Sequence, residues 1–326
     1  MTLPDAAQPL SPEQATTAFD ALLDGAVGDD AARDFILTMS LRGETAIEIA
    51  AAVRAIRARM IRVAAPDGAI DVCGTGGDMS NSLNVSTAVA IVVAACDVPV
   101  AKHGNRAASS QAGGADTLEA LGLDLDRASE TAEATLAEFG IAFLFAQKHH
   151  PALARLAPIR RSIQRRTIFN LTGPACNPAG VRRQLIGIAR PDYLPIYADA
   201  LAMLGTEDAI LVAGDEPLDE LSIGGPSTVI RLGHPPERIT PADAGLPTHP
   251  LTAIRGGDAA YNAQALRRLL MGENGAYRDA VLFNSAAALI VARHARDWQD
   301  GVEEAAEAVD KGLAKALLDC WIAYCA

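Results

Sequence analysis

Residues 69–87 of the chain read AIDVCGTGGDMSNSLNVST, and this stretch decides the fold. A short apolar run, Ile70–Cys73, leads directly into the glycines of Gly74–Asp78. The polar stretch Asn84–Thr87 then opens an apolar helical run. A strand, a glycine-rich turn and a helix in this order form the unit from which parallel sheets with crossover helices are built. The stretch therefore predicts an α/β fold.

The glycines of this turn favour an anionic ligand. Glycine lets the backbone approach a ligand closely and turn its N–H groups inward, and the next helix adds the positive end of its dipole. Asn84, Ser86 and Thr87 add side-chain donors at the same place. The pattern suits a phosphate or pyrophosphate. It is neither a Walker loop nor GxGxxG, so an ordinary tight turn with a capped helix stays open as an alternative.

A second loop of the same character follows the next apolar run, Val98–Ala101. It begins with Lys102–Arg106 and continues to Asp116 with hydroxyl side chains and glycines. Loops that follow neighbouring parallel strands face each other across one crevice at the carboxyl edge of the sheet. Together the two loops predict a single cleft for a phosphorylated, polyanionic substrate.

The flanking sequence is helical. Residues 1–66 carry apolar positions at helical spacing, and Ser11-Pro12 is typical of a helix start. The chain from Ala280 to the end is again mostly helical. Between these parts, strand-like runs alternate with helical patterns, and a hairpin is predicted near Thr228–Leu232. The further strand-like runs are Ile141–Ala146, Leu185–Ala189 and Ile210–Ala213.

The predicted fold class is therefore α/β: a small helical N-terminal domain plus a larger α/β domain with a mainly parallel central sheet flanked by helices. The predicted boundaries are 1–66 for the helical domain and 67–326 for the α/β domain.

Composition excludes several classes of protein. The 326 residues have a formal net charge of -12, which argues against a nucleic-acid-binding protein because such proteins carry basic patches. The longest apolar stretch is far shorter than the roughly 20 residues of a membrane helix, so no membrane partner is expected. Five scattered cysteines without a CxxC pair predict neither a disulfide framework nor a zinc site. A cytoplasmic location is expected.

Several motifs then follow one another in a fixed order: GTGGD at 74–78, NVST at 84–87, KHGNR at 102–106, FLFA at 143–146, RTIFN at 166–170 and LDELS at 218–222. As an ordered set they resemble the anthranilate phosphoribosyltransferase family over roughly residues 12–320. The resemblance implies a glycosyltransferase, specifically a pentosyltransferase, of tryptophan biosynthesis. Such an enzyme transfers phosphoribosyl from phosphoribosyl pyrophosphate to anthranilate. It also implies Mg²⁺ as cofactor, a cleft between the domains and a homodimer formed through the helical domain. In this family arrangement, helices near 151–170 join the N-terminal helical domain.

The same resemblance implies roles for individual residues. Catalysis would involve Lys102, His103 and Arg160, and Mg²⁺ would be bound by Ser86, Asp219 and Glu220. Anthranilate would lie against Gly74, His103, Asn105, His150, Arg160, Gly173 and Pro174. Phosphoribosyl pyrophosphate would be held by Gly74, Gly77, Asp78, Ser82, Asn84, Val85, Ser86, Thr87, Lys102, His103, Gly104, Asn105, Arg106, Ala107, Ala108, Ser109, Ser110 and Gly114.

The chain departs from the family pattern at a few places. Gly114 stands where the family often has a hydroxyl residue, so one phosphate contact is expected to be lost. Ala213–Pro217 replaces the usual stretch ahead of the acidic pair Asp219-Glu220 and puts the metal site in doubt.

Three other functions compete with this interpretation. A pyrimidine-nucleoside phosphorylase of the same fold would carry a different lysine–histidine–serine loop. A non-catalytic, nucleic-acid-binding relative should be basic, whereas this chain is acidic. A structural or interaction protein would leave two phosphate-type loops unexplained.

Overall fold

The N-terminal segment forms helices α1 (Pro12–Asp24), α2 (Asp29–Arg42) and α3 (Ala46–Arg57). In the computed structural model, residues 2–107, 111–216 and 218–326 are described. Ser11 caps α1 and Thr45 caps α3, each within a reciprocal capping box that satisfies two N–H groups at the helix start. The helix start predicted at Ser11-Pro12 is confirmed, because its signal is local.

A fully buried carboxylate, Glu48 in α3, joins these helices. It accepts hydrogen bonds from the backbone N–H groups of Leu10 and Thr45 at 3.0 and 2.8 Å and from the Arg42 guanidinium at 2.6 Å. A buried charge is tolerated when it is paired and hydrogen-bonded in this way. Glu48 thus fixes the chain ahead of α1 against α2 and α3.

The described residues contain one seven-stranded sheet with the strand order β3-β2-β1-β4-β5-β6-β7. The first five strands in sequence pair in parallel, and the last two add antiparallel at one edge. The mainly parallel sheet and the hairpin are therefore confirmed. The strands are β1 (Ile70–Gly74), β2 (Val100–Gly104), β3 (Ile141–Phe145), β4 (Arg183–Gly187), β5 (Asp208–Gly214), β6 (Ser227–Arg231) and β7 (Glu237–Ile239).

Strand β2 lies further along the chain than the apolar run Val98–Ala101 predicted. It begins at Val100 and includes Lys102 and His103, which are both buried. The apolar pattern missed them because partners elsewhere in the fold, rather than hydrophobicity, compensate the burial of these polar groups. The two side chains therefore project from a strand rather than from a loop.

Helices cover both faces of the sheet and form two large apolar clusters. One cluster includes residues of the helix after β1 and of the C-terminal helices, and the other unites α1–α3 with the helices between 151 and 203. The remaining helices are α4 (Val85–Ala94), α5 (Gly114–Leu121), α6 (Leu125–Glu130), α7 (Ala132–Phe139), α8 (Ala146–His149), α9 (Pro151–Ala154), α10 (Ala157–Ile163), α11 (Ile168–Leu171), α12 (Leu194–Met203), α13 (Ala259–Leu270), α14 (Ala276–Val291), α15 (Trp298–Asp310) and α16 (Leu313–Tyr324).

The N-terminal helices lie against the face of the sheet that carries α12, since α3 contacts both α12 and α11. The crossover from β1 through α4 lies on the opposite face. The strand order reverses between β1 and β4, and in parallel sheets such a switch point opens a crevice at the carboxyl ends of the strands. Among the described residues, no helix has the length and apolar character needed to cross a membrane.

Candidate active site

A cleft of about 760 Å³ opens at the carboxyl edge of the sheet. It is lined by the segments that follow β1, β2 and β5 and by residues 164–166 and 170 from the helical side. The two loops predicted to face each other across one crevice therefore do so. A cleft of this size fits a ligand as large as a sugar phosphate with further phosphate groups.

The glycine loop, residues 75–81, forms one wall of the cleft. Gly76 and Gly77 have φ values of +63° and +69°, and the non-glycine residues Met79 and Asn81 have +64° and +51°. Left-handed conformations are strained for residues that carry a Cβ. A side chain at Gly74 would collide with the carboxylate of Asp219, so glycine is required there for close approach.

Asn84 is a junction between segments that lie far apart in sequence. Its Oδ1 accepts hydrogen bonds from Thr117 Oγ1 at 2.5 Å and from Asn262 Nδ2 at 2.9 Å. Its Nδ2 donates to the carbonyl of Ala112 at 3.2 Å, and its own carbonyl accepts from the Tyr277 hydroxyl. The side chain therefore holds the second loop against the first instead of serving mainly as a donor to substrate.

Lys102 places a buried positive charge at the floor of the cleft. Its Nζ donates to the carbonyl of Val72 at 2.7 Å and to Ser86 Oγ at 3.2 Å. Burial lowers the pKa of Lys102, although the negative charge of Asp71 opposes this. Within the described part of the chain Lys102 forms no salt bridge, so its charge is available to a bound anion.

Three carboxylates, those of Asp78, Asp219 and Glu220, line the same cleft as Lys102. Asp219 Oδ2 accepts from Gly76 N at 2.6 Å, Asp219 N donates to Asp78 at 3.4 Å, and Glu220 accepts from Ser86 N at 3.2 Å. Burial and the charge of Asp78 raise the pKa of Asp219 to about 7. Burial and Asp219 likewise raise the pKa of Glu220 well above its usual range.

This acidic cluster fits a hard divalent cation. Glu220 Oε2 is buried and has no hydrogen-bond partner among the described residues, and the repulsion between carboxylates is the repulsion that a cation would remove. No group of three His, Cys, Asp or Glu side chains in the described ranges surrounds a metal position. Mg²⁺ suits this arrangement because it binds to few protein groups and takes its other ligands from phosphate and water.

His103 and His150 form a buried pair behind the second loop. Their Nε2 atoms lie 3.1 Å apart, and His103 Nδ1 lies 3.1 Å from the carbonyl oxygen of Gly173. Burial, reinforced by His150, lowers the pKa of His103 to about 3, and burial, reinforced by His149, lowers the pKa of His150 to about 4. Both rings are therefore neutral at physiological pH and do not contribute positive charge to the cleft.

Arg160 on α10 is a half-buried arginine without an acidic partner. Its guanidinium carbon lies 5.8 Å from the centre of the Phe169 ring, and burial lowers its pKa. It forms neither a salt bridge nor a side-chain hydrogen bond to any described residue. A desolvated cation of this kind favours an anionic ligand with planar oxygen geometry.

The predicted site residues thus divide into groups. Gly74, Gly77, Asp78, Ser82, Asn84, Ser86, Thr87, Lys102, His103, Gly104, Asn105, Arg106, Ala107, Gly114, Asp219 and Glu220 line the cleft. His150 and Gly173 lie behind it in contact with His103, and Val85 is buried in α4. Arg160 and Pro174 are not among the lining residues, and the Pro174 carbonyl accepts from Gln184. Ala108, Ser109 and Ser110 lie outside the described residues.

Two residues in or beneath the cleft wall carry no predicted role. Arg166 belongs to the RTIFN motif but has no role implied by the resemblance, yet its guanidinium donates to the carbonyls of Gly76 and Thr75 at 2.5 and 3.3 Å. Asp71 is buried beneath the second loop, where it accepts from His103 N at 3.0 Å and from Asn177 Nδ2 at 2.8 Å. A carboxylate inside an apolar strand pattern was the available signal for Asp71, since a buried charge implies a partner.

The two departures from the family pattern have local explanations. At Gly114 an added Cβ would lie 3.0 Å from Thr87 Oγ1 and 3.9 Å from Lys102, so this helix start packs closely against the cleft floor. In the altered loop before Asp219, Glu216 accepts from Ser222 Oγ at 2.9 Å, and Gly214 N donates to Leu218 O at 3.0 Å. These contacts hold the described part of that loop in place.

The fold and the cleft define a two-domain glycosyltransferase. Residues 66–315 match the family described as "Glycosyl transferase family, a/b domain", and residues 5–60 match "Glycosyl transferase family, helical bundle domain". The anthranilate phosphoribosyltransferase of Novosphingobium aromaticivorans is 65% identical, with 98% of each chain covered. The chain belongs to the anthranilate phosphoribosyltransferase family.

Solved structures agree with this assignment. The anthranilate phosphoribosyltransferase of Thermus thermophilus is 40% identical and superposes with a TM-score of 0.92, covering 98% of this chain and 97% of the other. The Saccharomyces cerevisiae enzyme in complex with phosphoribosyl pyrophosphate and Mg is 27% identical, with a TM-score of 0.87, and covers 97% and 93%.

Proposed function

We propose that the chain transfers the phosphoribosyl group of phosphoribosyl pyrophosphate to anthranilate, giving N-(5-phosphoribosyl)anthranilate and pyrophosphate in tryptophan biosynthesis. The single observation that carries this proposal is the cleft in which two phosphate-type loops, Lys102 and an acidic cluster meet. Sequence identity to named relatives over nearly the whole chain supports the same reaction.

The reaction forms a bond between the anthranilate nitrogen and the ribosyl carbon and breaks the bond from that carbon to a pyrophosphate oxygen. The leaving group takes the bonding electron pair, and the amine loses one proton. No protein nucleophile is needed, since catalysis follows from electrostatic stabilisation and from holding the amine close to the carbon. Lys102 supplies fixed positive charge where the leaving group gains negative charge.

Magnesium belongs to the same proposal. Ser86, Asp219 and Glu220 would hold the ion, with Asp78 close enough to take part through water. When bound, Mg²⁺ supplies positive charge that neutralises pyrophosphate oxygens. The unpartnered Glu220 oxygen supports this role.

The function is tested by incubating the purified chain with phosphoribosyl pyrophosphate, Mg²⁺ and anthranilate. Loss of anthranilate fluorescence that depends on all three additions is the expected result. Turnover of a pyrimidine nucleoside with phosphate, in the absence of that fluorescence change, would instead favour the phosphorylase alternative.

Arg160 is proposed to bind the carboxylate of anthranilate. Because a charge-assisted contact contributes about 1.5–3 kcal/mol, Arg160→Ala should raise the anthranilate KM by roughly 10- to 150-fold. The KM for phosphoribosyl pyrophosphate should change little, and Arg160→Lys should restore only part of the loss since lysine lacks the planar fork. Steady-state kinetics with each substrate varied in turn provide the measurement.

Neighbouring arginines provide the comparison for this prediction. Arg161 is exposed on the same helix and serves as the matched control, because Arg161→Ala should leave both KM values unchanged. Arg165 lines the cleft and is the competing candidate. An unchanged anthranilate KM in Arg160→Ala, together with a raised one in Arg165→Ala, would transfer the role to Arg165.

The helical segment 1–66, with the helices near 151–170, is proposed as a dimerisation domain. Leu41 on α2 is 65% exposed and continues a helical stripe from the half-buried Leu37, and an exposed apolar stripe is typical of an interface. Sedimentation should give twice the 34.0 kDa chain mass. Leu41→Asp should shift the equilibrium toward monomer, whereas Leu313→Asp, a similarly exposed leucine on α16, should not. A parent chain that sediments as a monomer at micromolar concentration would contradict the proposal.

We further propose a cytoplasmic location and only small-molecule substrates besides the second subunit. All five cysteines are free thiols, as is usual in reducing compartments. The net charge of -12 disfavours binding to nucleic acid.

A further inference from the structure

We propose that Arg166 is a positioning residue that shapes the glycine loop for the pyrophosphate group and ties that loop to the helical domain. This inference rests on the proposed function and extends it to a residue outside the predicted site. Arg166 is half-buried and lines the cleft between the helical segment and the loop.

The guanidinium of Arg166 contacts the glycine loop directly. Nη1 donates to the carbonyl of Gly76 at 2.5 Å and Nη2 to the carbonyl of Thr75 at 3.3 Å. The planar guanidinium is suited to two acceptors that lie side by side, whereas a lysine ammonium is a point charge. A Cβ at Gly77 would lie 2.7 Å from Nη1, so the loop and the guanidinium are in close contact.

The N–H groups of the glycine loop are bonded at its start and, among the described residues, unbonded at its centre. The amides of Thr75 and Gly76 are already used, since they donate to Gly187 O and to Asp219 Oδ2 at 2.9 and 2.6 Å. With its carbonyls bound by Arg166 and one amide bound by Asp219, the loop is held from both sides. The amides of Gly77, Asp78 and Met79 donate to no protein atom in the ranges that the structure describes. Consecutive free N–H groups of this kind form a concave anion-binding site.

The backbone of the glycine loop is conformationally strained. Gly76, Gly77 and Met79 all have left-handed φ values, and a residue with a side chain in that region costs about 1–2 kcal/mol. Such strain persists only where the surroundings determine the conformation. Because Arg166 binds the two carbonyls just before Gly77, it holds this arrangement from one side, as Asp219 does from the other.

Arg166 also links the glycine loop to the helical domain. The carbonyl of Arg166 accepts a hydrogen bond from Ser40 Oγ on α2 at 2.6 Å, and the neighbouring Arg165 donates to Ser40 O at 3.2 Å. Asp219 and Asp78 attract the Arg166 guanidinium from the α/β side, and Glu44 attracts it from the helical side. Arg166 therefore joins both walls of the cleft at the loop that would bind pyrophosphate.

The test compares Arg166→Gln and Arg166→Lys with Arg161→Gln, an exposed arginine on α10 as control. Binding of phosphoribosyl pyrophosphate in the presence of Mg²⁺ is measured by calorimetry, and the anthranilate KM is measured at saturating phosphoribosyl pyrophosphate. Loss of two charge-assisted hydrogen bonds should weaken phosphoribosyl pyrophosphate binding by about 10- to 100-fold in Arg166→Gln. Arg166→Lys should recover part of it, and the anthranilate KM should stay within about twofold.

A second measurement separates positioning from general stability. In the ligand-free protein, hydrogen exchange of peptides covering residues 75–80 should become faster in Arg166→Gln, while peptides of the sheet and the thermal midpoint stay as in the parent. Parental binding together with parental exchange in Arg166→Gln would overturn the inference alone. A parent chain that does not bind phosphoribosyl pyrophosphate would overturn the proposed function as well. Should Arg166→Gln not fold, Arg166→Lys decides by the same two readouts.

Discussion

The double substitution of Asp219→Asn with Glu220→Gln is expected to lower kcat/KM by at least about a thousandfold, because the charge that holds the metal is worth several kcal/mol in the transition state. The amides keep the size of the side chains while removing both negative charges. Raising the Mg²⁺ concentration should recover little of the activity. Steady-state kinetics across a magnesium titration make the measurement.

The same substitution should stabilise the ligand-free protein at alkaline pH. The folded-state pKa of Asp219 is about 7, whereas an unfolded aspartate has a pKa of about 3.9. A raised carboxyl pKa contributes stability that is fully present below the unfolded pKa and is lost as the pH rises through the folded pKa. The parent's thermal midpoint should therefore fall between about pH 4 and pH 7.5, and this fall should be smaller in the double variant.

Glu303 provides the matched control, since it is an exposed carboxylate on α15. Glu303→Gln should keep the parental activity and the parental pH dependence of stability. Normal magnesium dependence in the Asp219→Asn, Glu220→Gln variant would falsify the metal assignment. If the thermal midpoint of the double variant falls with pH as much as that of the parent, the two carboxylates do not destabilise the free protein.

Lys102→Gln is expected to lower kcat by about 100- to 1000-fold, the usual effect of removing one preorganised donor from a developing negative charge. The side chain is only 5% exposed and is fixed by Val72 O and Ser86 Oγ, so water cannot take its place easily. The KM for phosphoribosyl pyrophosphate should change less than kcat, because the loop amides still bind the ground state. Single-turnover kinetics would separate the chemical step from product release.

The Lys102→Arg variant tests whether the position of the positive charge matters as well as its sign. Arginine keeps the charge but is longer and branched, so its fork does not reproduce the position that Lys102 Nζ takes between Val72 O and Ser86 Oγ. We expect it to recover less than about a tenth of the lost activity. A Lys102→Gln enzyme within fivefold of the parental kcat would show that the charge is not used in the chemical step.

Sequence patterns predicted the parts of this molecule whose causes are local. The glycine loop after β1, the capped start of α1 and the alternation of strands with helices all depend on neighbouring residues, and these predictions are confirmed. The metal, substrate and catalytic assignments came from motif resemblance. They stay predictions, although most of the residues concerned line one cleft.

Contacts between distant segments could not be predicted in this way. Neither an apolar pattern nor a motif indicated that β2 extends through Lys102 and His103, because their burial is compensated by Asp71, Val72 and Gly173. The hydrogen bond from Arg166 to the glycine loop joins residues about 90 positions apart in sequence. Periodic patterns cannot predict a contact between residues so far apart.

The junction at Asn84 has a consequence for the order in which the protein is made. Asn262 and Tyr277, which hold Asn84 in place, are 178 and 193 residues further along the chain. During synthesis the glycine loop emerges from the ribosome long before these two residues exist. The nascent chain therefore cannot complete the frame of its cleft until α13 and the start of α14 have been translated.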